Sequence, residues 1–254
     1  TAPHPNTVYE QACTYDPNLD AMILFGGSDR QYHEGDKTYR FDLNTETWTD
    51  AAPSPIPSPR TGQTMCYDPK RRISWMFAGA PWGSAGSELW TYDAAANRWE
   101  RIPATGPWPP DRRFGSFAYD ERHDIFLLYG GVTADDRELT DTWLFDPATR
   151  TWRELAPAHV PVGRMKFYSE DLEYDTEHGF FVLNLGGEFW FYRYEPPPIP
   201  TAPASPPVTP GLRVLARSPV RSGPTISFTL AEASNVALTV FDVRGRLMAT
   251  LASG

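Results

Sequence analysis

Five separate markers recur in register along the chain, and a unit copied in that way sets the architecture before any local assignment matters. A Tyr-Asp pair stands at Tyr15-Asp16, Tyr67-Asp68, Tyr119-Asp120 and Tyr174-Asp175, at steps of 52, 52 and 55 residues. Each is followed by two small residues: Gly26-Gly27, Ala78-Gly79, Gly130-Gly131 and Gly186-Gly187. An aromatic-acid pair comes next, Phe41-Asp42, Tyr92-Asp93, Phe145-Asp146 and Tyr194-Glu195, and the first three are trailed by Trp48, Trp99 and Trp152. Arg60, Arg112 and Arg164 open the later units, with Val8 at that place in the first.

Each unit reads as four short strands. The first ends in the Tyr-Asp pair, and the second, such as IFLLY at 125–129, is an apolar run into the small pair. The third, such as DTWLFD at 141–146, alternates with period two, and the fourth carries the Trp. The connections DPNLD, DPKRR, DERHD and DTEHG open with Asp, whose carboxylate bonds nearby backbone N–H groups and favours tight turns. Composition agrees: 26 Pro and 19 Gly in 254 residues leave little room for long helices, while 14 Phe, 12 Tyr and 9 Trp suit pleated, half-buried surfaces.

The formal charge of −9 repels a phosphate backbone and argues against nucleic acid as a partner. No apolar run approaches the roughly 18 residues of a membrane-spanning helix. Cys13 and Cys66 sit one residue out of register between units, so period-two strands put them on opposite faces. His4, His33, His123, His159 and His178 show no paired spacing, and neither a metal site nor a cofactor is expected. No Ser stands in a nucleophile-elbow sequence, and no catalytic residue is assigned.

The marker set resembles the kelch repeat, whose pattern is an Arg-Gly stretch, Tyr-Asp, Gly-Gly, aromatic-Asp and Trp. The resemblance covers residues 8–195 and implies an all-β protein in which each unit is one blade of a β-propeller. The fourth unit lacks its Trp because Pro196–Pro198 arrive where the last strand should be. Four blades is the small end of a range of about four to eight. Residues 1–9 are one candidate to complete the fourth unit, and a larger propeller truncated at its N-terminus is the preferred account. The three Trp residues are expected to seal blades against one another. Arg60, Arg112 and Arg164 are candidates either for the central channel or for pairing with a carboxylate as multi-donor clamps.

Residues 196–210, with Pro at 196, 197, 198, 200, 203, 206, 207 and 210, read as an extended spacer. Residues 211–254 then alternate like the strands of a sandwich, with Ile226, Phe228 and Leu230 followed by Val236, Leu238 and Val240. This tail resembles part of the immunoglobulin-like domain related to the flagellar hook-assembly scaffold, which also serves as the sorting module of type IX secretion. A half sandwich leaves unpaired edges, so the polypeptide is expected to continue past Gly254. The resemblance implies secretion machinery as a partner and a bacterial protein that is secreted or displayed on the cell surface.

Function is expected in the connections between the second and third strands and between units, which emerge on one face and are long and unpatterned. They offer Tyr32, His33, Trp82, Trp108, Asp135, Asp136 and Arg137. Aromatic faces flanked by carboxylates suit a protein or glycan ligand, although Trp108, set between prolines, can equally pack under its own loop. The expected activity is binding without catalysis. The alternative implied by the family is an enzyme such as a copper-radical sugar oxidase or a sialic acid mutarotase.

Overall fold

The computed structural model describes residues 4–7, 9–81, 83–161, 170–185 and 188–196, and the strand backbones at 213–217, 225–229, 237–241 and 247–253. The chain divides into two compact units, Thr1–Tyr194 and Glu195–Gly254. All regular structure among the described residues is β. None of it includes a helix long and apolar enough to cross a membrane.

The first unit is four successive antiparallel meanders. Blade 1 is β1 (Ala12–Asp16), β2 (Ala21–Phe25), β3 (Thr38–Asp42) and β4 (Thr47–Asp50); blade 2 is β5 (Thr64–Asp68), β6 (Ile73–Phe77), β7 (Leu89–Asp93) and β8 (Arg98–Ile102). Blade 3 is β9 (Ser116–Asp120), β10 (Ile125–Tyr129), β11 (Thr142–Asp146) and β12 (Thr151–Leu155). Blade 4 contributes β13 (Glu170–Asp175), β14 (Phe180–Leu185) and β15 (Glu188–Tyr192). The first strands β1, β5, β9 and β13 pack against one another in that order, which is the arrangement of propeller blades around an axis, whereas β13 and β1 do not adjoin in the same way. The all-β propeller read from the repeat is the observed fold.

The markers explain the local geometry. The carboxylate of each Tyr-Asp pair closes the turn that follows: Asp16 accepts from Asn18 N at 2.9 Å, Asp68 from Arg71 N at 2.9 Å, Asp120 from Arg122 N at 2.9 Å and Asp175 from His178 N at 2.9 Å. These turns end on a left-handed residue in every blade, Asp20, Arg72, Asp124 and Gly179. The glycines before the third strand serve close backbone approach. At Gly79, with φ 70°, a Cβ would fall 2.7 Å from Gln63 N and 2.8 Å from Thr61 O.

The core lies between blades. Ile23 and Phe25 of blade 1 meet Met65, Met76, Tyr92 and Trp99 of blade 2. Trp75 and Phe77 of blade 2 meet Phe117, Phe126, Phe145 and Trp152 of blade 3. Leu127 and Tyr129 of blade 3 meet Leu172, Phe181 and Leu183 of blade 4. Each blade therefore has an outgoing face and a receiving face, set by the two-residue alternation of its strands. Trp99 and Trp152 do seal neighbouring blades, whereas Trp48, on the receiving face of blade 1, packs on Tyr39 and Phe41 of its own blade and stays half-buried. Cys13 is exposed on the receiving face of blade 1, and Cys66 packs from blade 2 toward blade 3, so the two free thiols do lie on opposite faces.

The second unit contains the hairpins β16 (Arg213–Arg217) with β17 (Thr225–Thr229) and β18 (Ala237–Phe241) with β19 (Leu247–Ser253). Most of the proline-rich stretch lies outside the described residues.

Candidate functional site

In a meander, the connections from second to third strand and from one blade to the next leave by the same end. That upper face is where the candidates fall. In blade 1 the segment 28–34 is a tight loop: Tyr32 N donates to Asp29 O at 3.0 Å and Asp29 N to His33 O at 3.1 Å. The Asp29 carboxylate braces it, accepting from Gln31 N at 2.8 Å and His33 N at 3.0 Å and meeting His33 Nδ1 at 3.2 Å. These contacts, led by the His33 backbone N–H, hold the Asp29 carboxyl below its ordinary range.

Blade 3 builds the same loop from different residues. Asp136 N donates to Thr133 O at 3.0 Å and Thr133 N to Arg137 O at 3.0 Å. The Thr133 hydroxyl takes the place of the Asp29 carboxylate, accepting from Arg137 N at 3.1 Å and donating to Asp135 at 2.5 Å. That bond, first among its causes, keeps the Asp135 carboxyl low and therefore ionised at neutral pH. Asp136 is tied back to the Arg113 guanidinium. Tyr32 and Asp136 occupy the same position in the two loops, with φ 62° and 59°.

The loop of blade 1 therefore holds a tyrosine in the left-handed region, where a bulky side chain is disfavoured by sterics. Its ring is 58% exposed and stacks on Tyr9, itself 47% exposed, with centroids 5.9 Å apart and planes 11° apart. Tyr9 reaches this place through the backbone bridge Tyr9 to Ser28. Sequence reasoning missed Tyr9 and Arg113. Both stand one residue past the unit-opening position, at steps of 52 through Thr61, and all three bridge the start of the loop below them.

The other candidates divide. His33 stays on the exposed loop beside Tyr32, whereas Trp82 lies outside the described residues. Trp108 belongs to the packing: its Nε1 donates to Ser87 O at 2.7 Å and its ring meets Trp152 edge-on at 6.1 Å. Asp135, Asp136 and Arg137 are together on the loop of blade 3.

The two described unit-opening arginines are buried clamps inside their own blades. Arg112, 0% exposed, gives Nη1 to Asp141 Oδ1 at 2.8 Å and to Gly130 O at 2.7 Å, and Nη2 to Asp141 Oδ2 at 2.7 Å. Arg60 repeats this with Glu88 at 2.6 Å and Ala78 O at 3.2 Å. An indole completes each: Trp143 Nε1 donates to Asp141 at 2.7 Å and Trp90 Nε1 to Glu88 at 3.1 Å. Burial opposes the Glu88 ion, yet the Arg60 and Trp90 bonds hold its carboxyl below the ordinary range. Arg164 lies outside the described residues. Among the described residues no three His, Cys, Asp or Glu side chains form a metal-binding group.

Blades whose first strands surround an axis, joined on one side by variable loops, define a β-propeller of the kelch type. The chain belongs to the kelch-repeat family, with residues 1–169 matching the KLHDC2/KLHL20/DRC7 kelch-repeats domain. It is similar to human Kelch domain-containing protein 10, 28% identical over 167 residues that cover 62% of this chain and 36% of that protein. It is also similar to Tip elongation aberrant protein 3 of Schizosaccharomyces pombe, 26% identical over 178 residues, 54% of this chain and 15% of that one. A shorter match, 30% identical over 70 residues, joins it to Dynein regulatory complex subunit 7 of Chlamydomonas reinhardtii, covering 28% of this chain and 6% of that protein.

These relatives correct the expected location. They are proteins of eukaryotes, one named for its kelch domain and one for a dynein complex, and they overturn the reading of a bacterial protein secreted or held at the cell surface. That reading came from the tail, which the family match does not reach, whereas the matched residues are the propeller.

Proposed function

We propose that this chain is a protein-recognition module without catalysis, which grips its partner on the upper face with Tyr9 and Tyr32 at the centre. The observation that carries this reading is the exposed tyrosine stack, held on a strained loop that rests on a rigid blade. Strain of that kind persists where surrounding structure over-determines it and concentrates at binding sites. Two stacked rings offer a large contact area at little cost in side-chain entropy. Asp29 and Asp135, both kept ionised, add negative charge to the same face of a chain whose net charge is −9. A partner segment rich in Lys and Arg fits that chemistry, with a cation over an aromatic face contributing about 1 kcal/mol.

The test is photo-crosslinking from a benzophenone side chain at position 32, with position 45 on the opposite end of the same blade as control. Position 32 is expected to capture a protein, and Tyr9→Ala is expected to weaken that capture about tenfold or more. A peptide array on the purified protein should favour Lys- and Arg-rich sequences. Saturable binding on a glycan array, lost in Tyr32→Ala with no protein captured, would overturn the proposal in favour of a sugar ligand.

A further inference from the structure

The two arginine clamps differ in how their forks are filled. Both Nη atoms of Arg112 go to the Asp141 carboxylate. Arg60 gives Nη2 to Glu88 at 2.6 Å and shares that same nitrogen with the Ser58 hydroxyl, which accepts at 3.0 Å. Arg60 is 2% exposed, whereas Ser58 lies exposed on the connection between blades 1 and 2. A surface hydroxyl is thus tied to a buried guanidinium. In blade 3 the same place is taken by Pro110, which has no hydroxyl: its carbonyl accepts from Arg112 Nε at 3.2 Å, as the Ser58 carbonyl does from Arg60 Nε at 3.1 Å.

The charges at the two clamps differ as well. Opposite Trp90, β8 carries Arg101, whose Nη2 holds the other Glu88 oxygen at 2.9 Å; opposite Trp143, β12 carries Glu154. Blade 2 therefore sets two guanidinium groups with one carboxylate, where blade 3 sets one guanidinium with two carboxylates at the same positions. Arg101 and the Trp90 indole, at 3.1 Å, both bond Glu88, so Arg60 Nη2 can turn to a new anion without leaving that carboxylate bare. The anion that Ser58 can acquire is a phosphate, whose dianion and three acceptor oxygens form charge-assisted bonds to a guanidinium. Pro59 follows Ser58 and biases it toward the extended backbone in which a protein kinase reads its acceptor.

We propose that Ser58 is a phosphorylation site for a protein kinase directed to Ser-Pro, and that Arg60 holds the phosphate. Ser58 Oγ attacks the γ-phosphorus of ATP: the Oγ–P bond forms, the bond from that phosphorus to the bridging oxygen of the departing ADP breaks, and the hydroxyl proton passes to the kinase's base. Arg60 carries the consequence onward. Its carbonyl accepts from Gly27 N at 2.9 Å and its N–H donates to Gly35 O at 3.3 Å, at the two feet of the loop that presents Tyr32. Phosphorylation therefore acts on the residue from which that loop hangs, and it adds negative charge to the upper face. Its bearing on a partner rests on the reading of Tyr9 and Tyr32 given above; the phosphate site itself does not.

The test has two parts. The folded full chain is incubated with a proline-directed Ser/Thr kinase and ATP beside a peptide of residues 50–62, and the phosphate is mapped by mass spectrometry. Ser58 is expected to be modified in both; modification in the peptide but not in the folded chain, or at Ser54 alone, overturns the proposal. In the second part phosphoserine is installed at position 58 or at position 54 during synthesis, and each phosphate is titrated by phosphorus NMR. The phosphate at 58 is expected to titrate about half a pH unit or more below the one at 54, because Arg60 favours its dianion. Arg101→Ala, which makes Glu88 compete for Arg60, is expected to shrink that difference by about half. A phosphate at 58 that titrates at or above the one at 54, or that lowers the melting temperature by about 10 °C or more, would mean that it breaks the clamp instead of occupying it, and overturns the proposal. Neither part uses a partner, so a failed capture from position 32 would sink the reading of the upper face and leave this one standing.

Discussion

Phe25 meets Trp99 edge-on with ring centroids 5.0 Å apart, and one repeat later Phe77 meets Trp152 at 4.9 Å. The two contacts are the same contact, made where the second strand of one blade ends and the fourth strand of the next begins. They explain why a Trp at that position recurs: a short four-stranded sheet buries its apolar surface only against its neighbour.

Truncating that Trp should therefore cost in proportion to its neighbour. Trp99→Ala removes a fully buried indole and its bond to Thr38 Oγ1 at 2.9 Å, and is expected to lower stability by about 3–5 kcal/mol. Trp48→Ala, made where the ring is only half-buried, should cost about 1–2 kcal/mol or less. Urea titrations followed by far-ultraviolet circular dichroism would compare the two.

The arginine clamps predict a chemical asymmetry. Arg112→Ala leaves the Asp141 carboxylate without its fork and should cost about 3–5 kcal/mol. Arg112→Lys should recover little of it, because an ammonium cannot reproduce the two parallel bonds and the third to Gly130 O. If Arg112→Lys melted like the parent protein, the planar fork would not be what this site needs.

Acid should loosen the joint between blades 2 and 3. Asp124 in blade 3 accepts from Arg71 at 2.6 and 2.9 Å, from Lys70 at 2.5 Å and from Tyr119 at 2.8 Å. These bonds, Arg71's first, hold its carboxyl well below the ordinary range. A depressed folded-state value means that the stabilisation is complete above the unfolded value near 4 and is lost as pH falls through the folded one. Asp124→Asn is expected to be about 2 kcal/mol less stable than the parent at pH 7, with the gap narrowing once pH drops below about 4. Denaturant midpoints measured at both pH values would reveal it.

The left-handed turn ends offer a stabilising change. Glu46 closes the last turn of blade 1 with φ 53° and is exposed. Glu46→Gly relieves about 1 kcal/mol of backbone strain against a similar entropic cost, so it should be neutral or raise stability by a few tenths. Gly179→Ala should do the reverse, since φ is 73° and a Cβ would run into the Arg122 guanidinium. Thermal melts should place Glu46→Gly at or slightly above the parent protein and Gly179→Ala below it.

Strands and turns were legible because each marker has one physical job: Asp closes a turn, Trp covers a neighbour, and the small pair lets backbones approach. The clamp was half legible. The arginines stood out, but their partners did not, although Glu88-x-Trp90 and Asp141-x-Trp143 spell the same acid two residues before an indole. The site was less legible still. Tyr32 was visible as a loop aromatic, yet its stacking on Tyr9 depends on a bridge across 19 residues that no local pattern encodes. Trp108 looked as available as Tyr32 until its ring was found against Trp152. The location was misread because it hung on a short tail resemblance, independent of the repeat.

On the lower face, neighbouring blades are joined turn to turn: Asn18 to Tyr67, Arg71 to Asp124, and Arg122 to the carbonyls of Thr176 and Glu177. Spacing between blades is thus fixed at the end away from the upper loops. Replacing the short loops at 29–33 or 133–137 should leave the blades' geometry untouched, so new sequences can be grafted or selected at one rim while the other holds the blades in place.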